Sequence, residues 1–359
     1  MRLDLTQDVA ALTRAIVDIE SVSGDEKALA DAVEEALRAL PHLTVERDGD
    51  TVIARTAQGR SERVVIAGHL DTVPINQNLP SRIEGDRLYG CGTGDMKAGV
   101  AVQLKLATLP ETNRDVTYFF YECEEIDESR NGLKRIGETR PELLHADFAV
   151  LMEPSGGIIE GGCQGTIRID VRVPGERAHS ARSWMGSNAI HSAGAVLDVL
   201  RAYEPSRPVV DGLEFREGLN AVFVNGGVAG NVIPDECVVT INYRFAPDKS
   251  LGDAEKHLRE VFEGYEVTVV DGAPGARPGL THPAAAAFVE AISAGSEGGG
   301  EPAARAKLGW TDVARFSALG IPAVNFGPGE PSLAHTRDEY VEIPRVFAGE
   351  ERMRAWLTA

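Results

Sequence analysis

Four stretches of this chain are almost unbroken in apolar residues over the length of one strand: "VVIA" at 64–67, "VTYFFY" at 116–121, "DFAVLM" at 147–152 and "IPAVNF" at 321–326. A strand with one covered face alternates apolar and polar side chains, whereas a strand covered on both faces reads as a continuous apolar run. Helical stretches lie between the runs, among them "GVAVQLKLATL" at 99–109. These features restrict the fold to α/β with a mixed, largely parallel sheet packed between helices. Each run also ends in polar chemistry. The first is followed by His69 and Asp71, the second by Glu124 and Glu125, the third by Glu153 and the fourth, through "GPGEPSLAH", by His335. Open α/β sheets bind ligands beyond the carboxyl ends of their strands, so a site is expected at that edge.

The middle of the chain follows another period. "TIRIDVRV" at 166–173 alternates strictly; a helix over 187–203, strands at 220–228 and 236–245, a helix at 250–263 and a strand at 265–271 complete a β-α-β-β-α-β order. That is the ferredoxin-like split motif. "APGARPG" at 273–279 reads as a linker, and "GSEGGGE" at 295–301 as a mobile loop. The expected organisation is a discontinuous catalytic domain, 1–163 and 278–359, with an inserted α+β domain at 164–277. Ser23 and Glu26 stand in capping-box spacing before the amphipathic run 23–40.

A net charge of −19 argues against a nucleic-acid partner. No apolar run approaches the roughly 20 residues of a membrane span. The start, "MRLDLTQDVAALTRAIVDIE", is acidic where a signal peptide is basic. Cys91, Cys123, Cys163 and Cys237 form no CxxC pair, as expected for thiols in a reducing compartment. A cytoplasmic protein follows as the expectation.

Taken singly, the site candidates have ordinary explanations. A histidine at a strand end is commonly structural, adjacent glutamates are commonly a solvated loop, and Asp95 in "GCGTGDMKAG" could cap the helix at 99–109. Their coincidence at one sheet edge is harder to explain that way. The glycine loop contains no GxxxxGK[ST] and misses GxGxxG by register; its glycines let backbone pass close to the site. Two histidines and several carboxylates exceed a single catalytic zinc, which takes three protein ligands and water. Two divalent ions about 3.5–4 Å apart, sharing a carboxylate, fit better. Mixed nitrogen and oxygen ligands allow zinc, cobalt or manganese, and the ligand types do not choose among them. Alternation along a strand would send Glu124 and Glu125 in opposite directions.

The motifs "GHLDTVP", "GCGTGDMKAG", "ECEE", "EPSG", "AHSAR" and "LAH" resemble the co-catalytic zinc aminoacylase and carboxypeptidase family, which includes acetylornithine deacetylase and glutamate carboxypeptidase. The resemblance covers nearly the whole chain. "IVDIESVSGDE" and "GWTDVARFSALGIPAVNFGPG" narrow it to a branch that removes a succinyl group from a diamino diacid in lysine and cell-wall precursor synthesis. It implies a zinc-peptidase-like catalytic domain, an inserted lid through which a homodimer forms, and a small acylated amino acid as substrate. His69 and Glu153 would hold one metal, Glu125 and His335 the other, and Asp95 both. Asp71 would hydrogen-bond and orient His69, Glu124 would be the general base, and His179 would stabilise the oxyanion in the partner's site. A cis peptide between Asp95 and Met96 is also implied. Gly94 stands where relatives often carry a bulkier residue. Arg182 and Arg244 are candidates for holding substrate carboxylates; Asn231 and Thr311 resemble substrate-contacting positions. The rival readings are another amidohydrolase of the same family, acting on an acetylated or peptidyl amino acid, and an inactive metal-binding scaffold. The intact Glu124 counts against the second.

Overall fold

A computed structural model describes residues 2–293 and 303–359; the glycine-rich stretch at 295–301 lies outside them. Contacts divide the chain into two units. The larger comprises Met1–Gly161, Pro278–Arg305 and Arg315–Ala359, the smaller Gly162–Arg277 and Ala306–Ala314.

The four apolar runs form the centre of the larger unit's sheet. They are Arg63–His69 (β1), Asp115–Tyr121 (β2), Phe148–Leu151 (β3) and Ala323–Asn325 (β4). They lie in the order β2-β1-β3-β4, and each neighbouring pair is parallel. Thr44–Asp48 and Thr51–Arg55 extend the sheet beyond β2, and Ile159–Gly161 and Ala304–Ala306 beyond β4. Every residue of β2 and β3 is buried, which is why these segments carry no alternation. Helix Ala98–Ala107 is buried along all but Lys105. It packs tightly because Gly99 has no side chain: a Cβ there would lie 2.2 Å from the Met152 carbonyl oxygen. The registers His69↔Tyr121, Ala67↔Leu151 and Leu151↔Asn325 bring the four carboxyl ends level.

The smaller unit has a four-stranded antiparallel sheet, ordered Gly218–Gly226, Glu236–Phe245, Gly165–Pro174, Glu266–Ala273. Helices Ala189–Ala202 and Leu251–Val261 supply the remaining elements of the β-α-β-β-α-β order. Ile167, Ile169, Val171 and Val173 of the alternating strand are buried together. Segment 306–314, expected with the catalytic domain, belongs instead to this unit. Trp310 Nε1 donates to the Pro274 carbonyl at 3.1 Å, and the Cys163 thiol donates to the Thr311 carbonyl at 3.7 Å. These contacts are tertiary, with no trace in local sequence pattern. No described helix is long and apolar enough to cross a membrane.

Candidate metal centre

His69 is the last residue of β1. Its Nδ1 lies 3.0 Å from the main-chain carbonyl oxygen of Asp71, and its Nε2 lies 3.2 Å from Asp95 Oδ1. The other oxygen of Asp95, Oδ2, lies 3.5 Å from His335 Nε2. That same nitrogen is 2.9 Å from Glu125 Oε1. Asp95 therefore turns one oxygen toward each of two imidazoles. Ligand atoms of His69, Asp95 and Glu125 all lie within 4.8 Å of one another. Glu153 is buried just beyond β3. It lies two residues beyond Leu151, which pairs with Ala67, itself two residues before His69.

The electrostatics are those of a site short of positive charge. Burial opposes protonation of His69, but its contacts with Asp71 and Asp95, and the charge of Glu124, hold its pKa well above 6.5. Contacts with Asp95 and Glu125 raise His335 to about 10. Burial, with the charge of Asp95 nearby, pushes the Glu125 carboxyl upward despite its bond to His335. Imidazole nitrogens and carboxylate oxygens so close together need a proton or a cation between them. Their donor chemistry suits divalent transition ions, so these residues fit a two-ion centre.

Asp71 makes more contacts in this cluster than the expected one to His69. Its buried carboxylate accepts the backbone N–H groups of Glu124 and Glu125, each at 3.0 Å, and the Ser23 hydroxyl at 2.7 Å. Its carboxylate is farther from His69 Nδ1, at 3.5 Å, than its own carbonyl oxygen is. The main chain and the carboxylate of Asp71 both face the imidazole, and the carboxylate also fastens the loop carrying the two glutamates. That loop also corrects the strand argument for Glu124 and Glu125. β2 ends at Tyr121, and Cys123 adopts a left-handed φ of 57°. Glu124 and Glu125 lie in a bend beyond the strand, where the alternation of a pleat does not apply.

The expected capping box is absent. The helix is Lys27–Arg38, with no side-chain cap. Ser23 serves Asp71, while Glu26 Oε1 accepts from Gly24 N–H at 2.8 Å and Cys123 N–H at 3.1 Å. Nor does Asp95 cap a helix: Lys97 is the N-cap of Ala98–Ala107. The Asp95–Met96 peptide is cis. Ser23, Glu26 and Glu339 are site-supporting residues that sequence reasoning missed. For Glu339 the available signal was its place four residues after His335, in "HTRDE".

His179, Arg182, Asn231, Arg244 and Thr311 all belong to the smaller unit. His179 pairs with Val232 in a short ladder, and Ser180 N–H donates to the Asn231 carbonyl at 2.9 Å, so His179 and Asn231 are neighbours. His179 and Arg182 are exposed, whereas Thr311 is buried. The half-buried Arg244 donates through Nε to Asn242 Oδ1 at 3.2 Å. Burial lowers its pKa, with Cys163 and Asp271 near enough to oppose the shift.

The comparisons with known proteins agree with this architecture. A Mycobacterium tuberculosis protein that carries the name DapE is 55% identical over 359 residues, covering 99% of both chains. A Corynebacterium glutamicum protein named succinyl-diaminopimelate desuccinylase is 49% identical over 355 residues, covering 96% of this chain and 94% of its own. A tripeptidase from Staphylococcus aureus superposes with a TM-score of 0.78 at 22% identity, covering 99% of this chain and 98% of its own. YXEP from Bacillus subtilis, described as a dinuclear metal-binding peptidase, gives 0.72 at 18% identity, covering 97% and 96%. These structures share the fold. The sequence matches peptidase family M20/M25/M40 over residues 65–359, and the chain belongs to that family.

Proposed function

We propose that this chain hydrolyses N-succinyl-LL-2,6-diaminopimelate with water to LL-2,6-diaminopimelate and succinate, a step of lysine and diaminopimelate biosynthesis in the cytoplasm. The observation that carries the reading is Asp95, whose two oxygens face two different imidazoles. The names of the two bacterial relatives support the substrate.

His69 and Glu153 would hold one divalent cation, Glu125 and His335 the second, and Asp95 both. Zinc suits the donors best, with cobalt or manganese as alternatives. When bound, such ions acidify a water and polarise the scissile carbonyl. Glu124 is the base. Its carboxylate takes a proton from the attacking water and returns it to the departing amine nitrogen. The contacts of Asp71 with the Glu124 and Glu125 amides hold base and ligand in one loop.

The smaller unit is read as lid and dimerisation domain. Its edge strand Gly218–Gly226 exposes Val222, Phe223 and Val224 by 45%, 60% and 51%. An unprotected apolar edge favours pairing with a second copy. His179 would act in the partner's site as a donor to the developing oxyanion. Arg182 and Arg244 would hold the substrate's carboxylates, for which a guanidinium is a good match, and Asn231 and Thr311 would contact the substrate.

The test is an assay of purified protein on succinyl-diaminopimelate and on acetylornithine, with and without a chelator. Chelator-sensitive release of succinate supports the reading. Turnover of acetylornithine alone would assign the other branch of the family, and no hydrolysis by metal-loaded protein would favour the inactive scaffold.

A further inference from the structure

Glu339 is buried four residues after His335. Its place is set by register. Tyr340–Glu342 pairs antiparallel with Arg87–Tyr89, Tyr340 opposite Tyr89. This leaves Glu339 beside Gly90, whose N–H donates to the Glu339 carbonyl at 3.2 Å. The side chain then reaches the backbone of the glycine loop. Oε2 accepts from Gly92 N–H at 3.0 Å, and Oε1 accepts from Gly94 N–H at 2.7 Å and Asp95 N–H at 3.0 Å.

Three backbone donors on one carboxylate fix the path of the loop from Gly92 to Asp95. The third donor belongs to Asp95 itself. The grip also starts from the segment that delivers His335, so one side chain ties together two residues meeting at the cluster. We propose that Glu339 is a positioning residue of the metal centre. By holding the backbone from Gly92 to Asp95, it sets the spacing between Asp95 and His335 on which cation retention depends. The inference rests on the two-cation reading above.

The test uses metal-free wild type, Glu339→Gln and Glu339→Asp, each titrated with Co2+ against a competing chelator while the cobalt absorption spectrum is recorded. Supporting groups behind metal ligands commonly change affinity by about 10–100-fold. Glu339→Gln replaces one acceptor oxygen with a donor and is expected to weaken binding by at least about tenfold and to alter the cobalt bands. Glu339→Asp keeps the charge and shortens the reach, and a similar loss would show that the charge without the reach does not suffice. Thermal unfolding of the metal-free forms identifies folded variants; if Glu339→Gln does not fold, Glu339→Asp is read in its place. Folded variants with wild-type affinity and spectrum would overturn the proposal. Wild type binding fewer than two equivalents would instead overturn the two-cation reading, and the affinity comparison would still decide the role of Glu339.

Discussion

His69 Nε2 stands 3.2 Å from Asp95 Oδ1, while His69 Nδ1 faces the Asp71 carbonyl at 3.0 Å. A proton on Nδ1 satisfies the carbonyl. A bare Nε2 and a carboxylate oxygen would then repel, so the pair requires a positive centre between them. Without a cation, a second proton on the ring meets that need, and the Asp71 and Asp95 carboxylates together hold the pKa of His69 up against burial.

Protons and cations therefore compete. His335, raised to about 10, is also charged at neutral pH in the metal-free protein. Cation uptake should release at least one proton at pH 7, and apparent affinity should rise with pH. Calorimetric titration with Zn2+ in buffers of different ionisation heat measures the release directly. Uptake with no proton released would contradict this account. The linked stability has a definite sign: the His335 contribution in the metal-free protein is complete below 6.5 and is lost as pH rises through about 10.

Glu124→Gln removes the base while preserving the backbone N–H that Asp71 accepts. Turnover should fall by about 10²–10⁴-fold with both cations retained. Steady-state rates and metal analysis of the same sample decide this. Loss of one cation would mean that Glu124 is a ligand and the roles of Glu124 and Glu125 are exchanged.

Two neighbouring glycines should respond in opposite ways. A Cβ at Gly329 would lie 2.1 Å from the Gly94 carbonyl oxygen, so Gly329→Ala must displace the loop beside Asp95. A Cβ at Gly94 meets nothing nearer than Glu339 Oε1 at 3.4 Å, with Gly329 Cα and the Tyr340 carbonyl oxygen both at 3.8 Å, which fits the expectation that a bulkier residue is tolerated there. Gly329→Ala should destabilise by about 1–3 kcal/mol and lower activity, with Gly94→Ala near wild type. Denaturant unfolding and initial rates measure both, and the reverse ranking would refute the packing argument.

The cross-subunit role of His179 is open to complementation. In a mixed dimer, His179→Ala subunits keep Glu124 and Glu124→Ala subunits keep His179. One site then regains both groups if His179 acts across the interface. Purified mixed dimers with no recovered activity would reject that role.

What sequence made legible follows from how each feature is encoded. The central strands were readable because burial on both faces is written into consecutive residues, as in Phe148–Leu151. The inserted unit was readable because Ile167, Ile169, Val171 and Val173 alternate with polar neighbours. The cluster was readable because most of its residues end or closely follow those strands or lie in a glycine-rich motif, with His335 reached through the loop after the fourth. Ser23 and Glu26 misled because their spacing is that of a local cap, whereas their partners, Asp71 and Cys123, are distant in sequence. Glu339 was illegible for a related reason: its reach depends on three-residue strands whose pairing leaves almost no periodic signal.

The central claim is that amide hydrolysis depends on two cations held around Asp95. The most direct measurement is succinate release by verified metal-free protein as Zn2+ is added in known equivalents. Activity should be absent at the start, rise with added metal and level off once two equivalents are bound. Full hydrolysis of succinyl-diaminopimelate by the metal-free sample would contradict the account.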